Sequence, residues 1–241
     1  MKFFISFIFL FISTLVLPAN ETKQIKKENL IAHAGGKINN DIYTNSYEAI
    51  IKSIKNGYNY IEIDLRKTTD NVLVGIHEWE DIEKFLKTSI PESKKEYFKK
   101  KVLSHKYNYK DIKILNNYLK YTIIDEFQIE KIFSKNKDLI LVTDKIKDYK
   151  KLTEAFSFND RIIIEVIGIT NYIKSFFYNF KQKNFSTDLS FYDRFFIYIF
   201  NIKGIIVDKS VLKNKNKKEY LEKYISDGKE VFMFTINDFE F

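Results

Sequence analysis

Cysteine is absent from the 241-residue chain, and arginine is nearly absent. Without cysteine the protein has no disulfide framework, no thiolate metal site, no cysteine nucleophile and no lipidated cysteine. Only three of the 40 basic residues are arginines, although the net charge is +8. Because nucleic-acid readers depend on arginine for base and phosphate contacts, we expect no nucleic-acid partner. The lysine excess predicts a solvated surface with some attraction to an anionic membrane or substrate.

The N-terminus is the longest apolar run of the chain. Lys2 precedes apolar residues 3–17, and Pro18 and Ala19 follow. This layout predicts a signal peptide over residues 1–19 and an exported protein, periplasmic or extracellular. An uncleaved anchor is the alternative, although the run is short for a membrane span, and it too places the body of the protein outside the cytoplasm.

Short β-branched segments alternate with amphipathic helical segments over residues 29–241. The predicted strands are NLIAHAGG, YIEIDL, VLVGIHE, DLILVTDK, RIIIEVIG, KGIIVDKS and EVFMFTIND, with NFSTDLSFY as an eighth candidate. Such alternation is typical of parallel βα units, and seven or eight units favour an α/β fold of the TIM-type (β/α) barrel over an open doubly wound sheet. Residues 79–113 are charged and broken by Pro91, which predicts a segment inserted after the third strand.

A capped helix is expected between the first two strands. In TNSYEAIIKSIKNGYN, Asn45 is placed to cap the helix and Glu48 to complete a capping box. Gly57 is placed to end it.

Polar residues stand where apolar strands end. His33 closes the first predicted strand, Glu62 and Asp64 the second, His77 the third and Asp144 the fourth. Singly, each is more often a helix cap, an ion-pair partner or a surface group. Together they include two of the chain's three histidines. Because barrel enzymes gather catalytic groups at the carboxyl ends of their strands, we expect all five residues at that end of the barrel, which we call the mouth.

This set of residue types indicates metal-assisted hydrolysis. Two carboxylates facing one cavity repel unless a proton or a cation lies between them. With Asp144 joining Glu62 and Asp64, three acidic ligands can hold Ca²⁺ or Mg²⁺. The two histidines can act as general acid and general base, in an order that the sequence leaves open. By the period of a strand Arg66 shares the face of Glu62 and Asp64, where it would stabilise charge on a phosphodiester.

Three quoted stretches carry a family resemblance. IAHAGG, YTNSYEAI and IEIDLRKTTDNVLVGIHEW resemble the glycerophosphodiester phosphodiesterase family, whose wider superfamily includes phosphatidylinositol-specific phospholipases C and sphingomyelinase D-type enzymes. The resemblance implies that His33 and His77 are the catalytic pair. It also implies that Glu62, Asp64 and Asp144 are the metal ligands.

The chain departs from the family pattern at several positions. Ala34 stands where the family has Arg, and Glu78 where it has Asp. The third ligand is Asp144, where the best-known phosphodiesterases have Glu. The lysine expected two residues later is replaced by Ile146, with Lys145 and Lys147 on either side. A bulge could restore either lysine, and we assign the substrate-binding role to Lys145.

The end of the chain is the largest departure. The family continues past a strand like VFMFTIND to one further strand, whereas this chain stops at Phe241. Either the barrel is missing its last strand, which would leave the first strand without a neighbour, or NFSTDLSFY forms an eighth strand whose position in the barrel is not assigned.

The leading expectation is metal-dependent hydrolysis of a small glycerophosphodiester to an alcohol and glycerol phosphate. A phospholipase or sphingomyelinase D-like action on lipid head groups is the second reading, motivated by the lysine-rich residues 79–113 and the export signal. The third reading is an inactive truncated barrel that serves as a surface binding module. The leaving alcohol and the oligomeric state stay open.

Overall fold

A computed structural model describes residues 30–87, 90–104 and 107–234 of the chain. The predicted signal peptide and residues 235–238 of the predicted last strand lie outside the described residues. Within the described part the strands are β1 Ile31–Ala32, β2 Tyr60–Glu62, β3 Leu65–Lys67, β4 Leu73–Gly75, β5 Ile140–Thr143, β6 Ile162–Ile167, β7 Gln182–Ser186, β8 Gly204–Asp208 and β9 Glu230–Phe234. The α-helices there are α1 Tyr47–Lys55, α2 Glu92–Ser104, α3 Tyr109–Leu115, α4 Glu126–Lys135, α5 Tyr149–Ala155, α6 Ile169–Ser175, α7 Phe191–Ile199 and α8 Lys215–Ser226.

Seven of these strands form one parallel sheet in the order β1-β2-β5-β6-β7-β8-β9. Helices connect its successive strands from β5 to β9, so the predicted α/β barrel of the TIM type is confirmed. The segment NFSTDLSFY contributes its first three residues to β7 and then leads into α7. In the described part of the chain β1 and β9 are the two edges of the sheet and do not pair with each other. Across the described residues the barrel is therefore incomplete, and β1 pairs on one side only, with β2.

The predicted third barrel strand, VLVGIHE, is not part of this sheet. Its β4 portion pairs antiparallel with β3, with Leu65 opposite Gly75 and Lys67 opposite Leu73. The expected single strand YIEIDL is likewise divided, because β2 ends at Glu62 and β3 begins at Leu65. The prediction was wrong because only residues 68–72 join the two strands, and a parallel crossover needs a dozen or so residues. His77 reaches the mouth from this hairpin.

Two apolar clusters hold the chain together. The larger packs the sheet against its helices and includes Ile61, Leu141, Ile164 and Phe185, each buried. The second cluster packs residues of the 79–113 segment against the β3–β4 hairpin and the loop before α4; its buried members are Val74, Ile76, Trp79, Ile82, Ile90, Phe98, Tyr107, Ile112, Leu115, Leu119 and Ile123. The segment thus has its own apolar support, while its bounds as an insertion remain a prediction.

Helix α1 begins one residue later than expected. Ser46 is its N-cap and accepts a hydrogen bond from the Ala49 amide at 3.2 Å. Glu48 does not complete a capping box, because its carboxylate accepts from the amide and the hydroxyl of Thr122. Gly57, with φ of 86°, follows the helix as predicted. The Asn45 side chain is consequently available for another partner.

Candidate active site

Three carboxylates meet at the carboxyl ends of β2 and β5. Glu62 is the last residue of β2, Asp64 lies two residues beyond it, and Asp144 follows β5. The parallel register sets Glu62 opposite Val142, so the ends of the two strands lie side by side. One oxygen atom of each carboxylate lies within 4.8 Å of one oxygen of each of the others. The structure therefore brings together the three acids that the sequence pattern predicted to meet.

Two loops hold these carboxylates in place. The Ala34 amide donates to Glu62 Oε2 at 2.5 Å. Asn45 Nδ2 donates to Asp64 Oδ2 at 2.7 Å, and Asn45 Oδ1 accepts from the Asp64 amide at 2.9 Å. Ala34 and Asn45 both have positive φ, 49° and 45°. Such backbone conformations are costly for residues other than glycine and cluster at functional sites.

Glycine is required in the turn after His33. Gly36 has φ of 94°, and a Cβ atom there would lie 2.1 Å from Ser53 Oγ. The Ser53 hydroxyl donates to the Gly35 carbonyl at 2.7 Å. Close packing of this turn on α1 positions the Ala34 amide for its bond to Glu62.

Burial and mutual repulsion disfavour ionisation of the carboxyl groups at the mouth. Burial raises the pKa of Glu62 well above its ordinary value, and the neighbouring Asp64 raises it further, against the hydrogen bond from Ala34. Burial and the charge of Asp64 together raise the pKa of Asp144 to about 6, although Lys145 opposes them. A bound cation would relieve this repulsion.

The donor set fits a hard divalent cation. Glu62 and Asp64 are buried, and oxygen is the ligand atom that Ca²⁺ and Mg²⁺ prefer. Among the described residues Asp144 Oδ1 is buried with no hydrogen-bond partner. A buried, unpaired carboxylate oxygen beside two further carboxylates is a position that a metal ion would satisfy.

The two predicted histidines stand on either side of Tyr43. The ring of Tyr43 makes edge contacts with both imidazoles, at centroid distances of 4.8 Å to His33 and 5.4 Å to His77. His33 Nε2 lies 3.8 Å from Glu62 Oε2. Burial lowers the pKa of His33, and the nearby His77 and Lys145 add to this, against the charge of Asp144. His33 is therefore disposed to be neutral near pH 7, the form that accepts a proton.

His77 has a carboxylate partner. Its Nδ1 atom lies 2.9 Å from Asp81 Oδ2, four residues along the chain. Burial alone would raise the pKa of Asp81, but hydrogen bonds from Lys84 and His77 hold that pKa below its ordinary value. An ionised Asp81 fixes the ring and selects the tautomer with its proton on Nδ1, which leaves Nε2 as the working atom.

The predicted basic residues lie beside His77. Arg66 Nε donates to the His77 carbonyl at 2.8 Å, and the Arg66 guanidinium forms an ion pair with Glu78. Lys145 Nζ lies 3.8 Å from Asp144 Oδ2 and 3.9 Å from Glu78 Oε1. Lys145 thus reaches the mouth directly from the residue after Asp144, whereas Ile146 is buried in the core. Arg66 is held by Glu78, and its contact with substrate stays a prediction.

Sequence reasoning missed three polar residues of the mouth. Asn45 was predicted to be a helix cap. Asp81 is one of several charged residues that follow His77, so the sequence did not single it out. Glu165 lies within β6; burial raises its pKa, and the charge of Asp144 raises it further, against a hydrogen bond with Ser186. The signal for Glu165 was available, since RIIIEVIG carries an acid inside an apolar strand just as YIEIDL does.

A polar cavity adjoins the ends of two further strands. It has a volume of about 470 Å³. Its lining includes Ser186 at the end of β7 and Asp208 at the end of β8, together with Asp188 and Lys217. It opens at the carboxyl edge of the sheet, the same edge at which Glu62 and Asp144 lie.

A family model supports the family resemblance seen in the sequence. The model of the glycerophosphoryl diester phosphodiesterase family matches residues 33–176, more than half of the chain, and this range contains every predicted site residue. No curated protein matches the chain.

Three solved structures share the fold. A glycerophosphodiester phosphodiesterase of Thermotoga maritima is 17% identical, with a TM-score of 0.63 over 86% of this chain and 84% of that one. One of Parabacteroides distasonis is 15% identical, with a TM-score of 0.57 over 86% of this chain and 84% of that one. A phosphodiesterase of Oleispira antarctica, in complex with the product sn-glycerol-3-phosphate, is 11% identical, with a TM-score of 0.54 over 86% of this chain and 83% of that one.

Proposed function

The chain belongs to the glycerophosphoryl diester phosphodiesterase family, and from this premise we propose that it hydrolyses a glycerophosphodiester to an alcohol and glycerol phosphate. Family membership makes it a phosphoric diester hydrolase. The observation that carries the choice of reaction is the meeting of Glu62, Asp64 and Asp144 beside two histidines. The product in the Oleispira antarctica complex, sn-glycerol-3-phosphate, supports glycerol phosphate as the product here.

In this proposal Glu62, Asp64 and Asp144 hold a divalent cation, Ca²⁺ or Mg²⁺. When bound, such a cation offsets negative charge on the phosphoryl oxygens of the diester. Asn45 holds the Asp64 carboxylate and the Ala34 amide holds Glu62, so both ligands are oriented before the substrate arrives.

The two histidines divide the proton transfers between them. His33, whose pKa is lowered by burial, takes a proton from the attacking water as the water oxygen forms a bond to phosphorus. The bond from phosphorus to the leaving oxygen breaks, and His77 Nε2 gives that oxygen a proton. Asp81 keeps the opposite nitrogen of His77 engaged throughout.

Lys145 and Arg66 are the proposed substrate-binding residues. Lys145 lies beside Asp144, where a phosphoryl oxygen would replace the weak contact to Glu78. Arg66 would exchange its Glu78 partner for the diester, since carboxylate and phosphate suit the same guanidinium geometry.

The test is a diesterase assay on the metal-stripped protein with glycerophosphocholine, followed by addition of Ca²⁺ or Mg²⁺. We expect turnover to require a cation, and His77→Ala and Asp64→Asn each to lower kcat/KM by at least about a hundredfold. Asp138→Asn, at an exposed position away from the mouth, is the control and should keep full activity. Turnover that survives chelation and both mouth substitutions would contradict the proposal.

Lysophosphatidylcholine and sphingomyelin in the same assay separate a soluble diester from a lipid substrate.

Export to the periplasm or the medium is also part of the proposal. Only the N-terminal pattern supports it. Mass spectrometry of protein recovered outside the cytoplasm should find a chain that begins at residue 20. Recovery of the chain solely inside the cytoplasm would contradict this.

A further inference from the structure

Helix α7 is apolar on the side that faces water. Ile197 is buried in the core, while Phe191, Phe195 and Tyr198 are exposed by 73%, 54% and 80%. These three residues are spaced four and three apart, so they form one stripe on the outer face of the helix. A surface helix normally carries charged and polar side chains on that face. The packing of the described residues leaves this stripe without a partner.

Helix α6 continues the same feature. Ile173 and Phe176 are exposed, and Phe177, in the turn after the helix, is exposed by 85%. Helices α6 and α7 follow the adjacent parallel strands β6 and β7. Right-handed crossovers place both helices on the outer face of the sheet, side by side. We call these exposed side chains the aromatic surface; its members are Ile173, Phe176, Phe177, Phe191, Phe195 and Tyr198.

The charge around the aromatic surface is positive. Residues 166–187 contain three lysines and no acid. Over residues 166–203 five basic residues face two acidic ones. Lys174 and Lys181 are exposed. Of the two acids, Asp193 accepts a hydrogen bond from the Thr187 hydroxyl at 2.8 Å, and Asp188 lies 3.8 Å from Lys217 Nζ.

Exposed aromatic side chains flanked by basic residues are suited to bind at the interface of an anionic bilayer. Phenylalanine and tyrosine rings enter the headgroup boundary, and each lysine near an anionic surface adds electrostatic attraction. None of the helices in the described part of the chain has the length and apolar character needed to cross a bilayer, so the contact would be peripheral. We propose that the aromatic surface docks the protein on membranes rich in anionic lipid.

A second copy of the chain fits this surface less well. A two-fold dimer sets each patch against itself, which would place the basic excess opposite the same basic excess. The lysine-rich helix α2, which suggested membrane contact in the sequence, is also less suited. Two of its lysines are paired within the helix, Lys95 with Glu92 and Lys100 with Glu96.

Part of the aromatic surface lies at the edge of the sheet that carries the mouth. Helix α6 starts just after the carboxyl end of β6, and α7 starts soon after that of β7. The exposed rings at the start of α7 therefore lie at the same edge of the sheet as the catalytic carboxylates. The docking itself does not depend on the proposed reaction.

Single cysteines give a local test, because the natural chain has none. Phe177→Cys and Phe195→Cys are labelled with an environment-sensitive nitrobenzoxadiazole dye and mixed with phosphatidylglycerol vesicles. Phe127→Cys, an exposed phenylalanine on α4, is the matched control. We expect a blue shift and quenching by lipids brominated in the acyl chain at 177 and 195 only. No change at these positions, or an equal change at 127, overturns the proposal. A blue shift without vesicles that grows with protein concentration assigns the surface to self-association and also overturns it.

The electrostatic part is tested by charge reversal. The double variant Lys174→Glu, Lys181→Glu should lower the fraction of labelled protein bound to phosphatidylglycerol vesicles at least about tenfold. The double variant Lys131→Glu, Lys135→Glu, at exposed positions on α4, has the same net charge and should bind as the unreversed protein does. Equal loss in both double variants would show attraction by overall charge alone and overturn the assignment to this surface. Phosphatidylcholine vesicles should produce no shift.

Discussion

At the scale of single residues, the two histidines of the mouth differ in their partners and should therefore differ in role. His33 lies beside Glu62, and burial lowers its pKa, whereas His77 is held by Asp81. His77→Ala should slow a diester of an ordinary alcohol by about 10²–10⁴-fold. It should slow a nitrophenyl diester far less, because nitrophenolate leaves without a proton. His33→Ala should slow both substrates equally.

The comparison of the two substrates in steady-state assays checks this assignment. Rescue of His33→Ala by the nitrophenyl diester, with no rescue of His77→Ala, would reverse the roles. Equal losses for both variants on both substrates would show that neither histidine protonates the leaving group.

Asp81 is a positioning residue, and its effect should be seen in kcat and in the pH profile. Asp81→Asn removes the carboxylate that fixes the His77 tautomer, and we expect kcat to fall roughly tenfold or more while KM changes little. The alkaline limb of the pH profile, where the general acid has lost its proton, should also move, because the proposed acid has lost its charged neighbour. Lys84→Ala is the control, since it removes only the outer partner of Asp81 and should leave the profile in place. An unchanged profile in Asp81→Asn would show a purely structural role.

The ligands and histidines could be predicted at this scale because they interrupt apolar segments. Glu62, Asp64 and Asp144 each stand at the end of a run that is otherwise buried. The roles of Asn45 and Asp81 could not be predicted in the same way. The role of each residue depends on which polar group lies beside it in the folded loop. For Asn45 the local spacing favoured a helix cap.

At the scale of elements, the β3–β4 hairpin shows where strand patterns mislead. An apolar run of three or four residues looks the same in a parallel barrel strand and in an antiparallel hairpin. Loop length was the informative feature, since residues 68–72 are too few for a crossover. The carboxyl end of β4 still brings His77 to the mouth, beside Tyr43, although the strand belongs to a hairpin and not to the barrel sheet.

The loop before α1 links that helix to Asp64, one of the proposed metal ligands. Substitutions at Asn45 and Ser46 separate the effect on cation affinity from the effect on helix stability. Asn45→Gly tolerates the positive φ but removes both hydrogen bonds to Asp64. We expect the affinity for Ca²⁺ or Mg²⁺, measured by calorimetric titration, to fall about 10–100-fold. Ser46→Ala removes the helix cap and the hydrogen bond to the Thr44 hydroxyl but keeps both bonds of Asn45, so it should cost about 1 kcal/mol of unfolding free energy or more and leave cation affinity unchanged. Unchanged affinity in Asn45→Gly would show that Asp64 needs no support from this loop.

At the scale of the whole molecule, the order of apolar segments was enough to predict the barrel class, whereas the sequence left open whether NFSTDLSFY supplied a further strand. What the sequence could not show is which apolar side chains remain exposed. The pattern of α7 reads as a core helix, yet Phe191, Phe195 and Tyr198 are exposed in the folded chain. Exposure depends on neighbours that are distant in the chain, so it becomes visible only in the folded molecule.

The charge of the mouth should also control the stability of the whole fold. Burial and Asp64 raise the pKa of Asp144 from 3.8 to about 6, and the pKa of Glu62 is raised as well. The folded protein then binds these protons more tightly than the unfolded chain does. The resulting stability is fully present below the unfolded pKa near 4 and is lost as the pH rises through about 6. For Asp144 alone the loss is on the order of 3 kcal/mol in the metal-free protein.

Urea unfolding of the chelated protein at about pH 5 and about pH 8, with Asp144→Asn as the matched variant, measures this effect. The variant should be more stable than the natural chain at the higher pH, and the difference should shrink at the lower pH, where Asp144 is protonated. Surface acids with a lowered pKa, such as Asp41 and Asp70, make the protein more stable as the pH rises, which is the opposite trend. Both proteins contain these acids, so the difference between the two stabilities cancels their effect. Adding Ca²⁺ at the higher pH should stabilise the natural chain far more than the variant, because the cation binds the deprotonated carboxylates of the folded state. A pH-independent difference between the two proteins would mean that Asp144 does not titrate in this range.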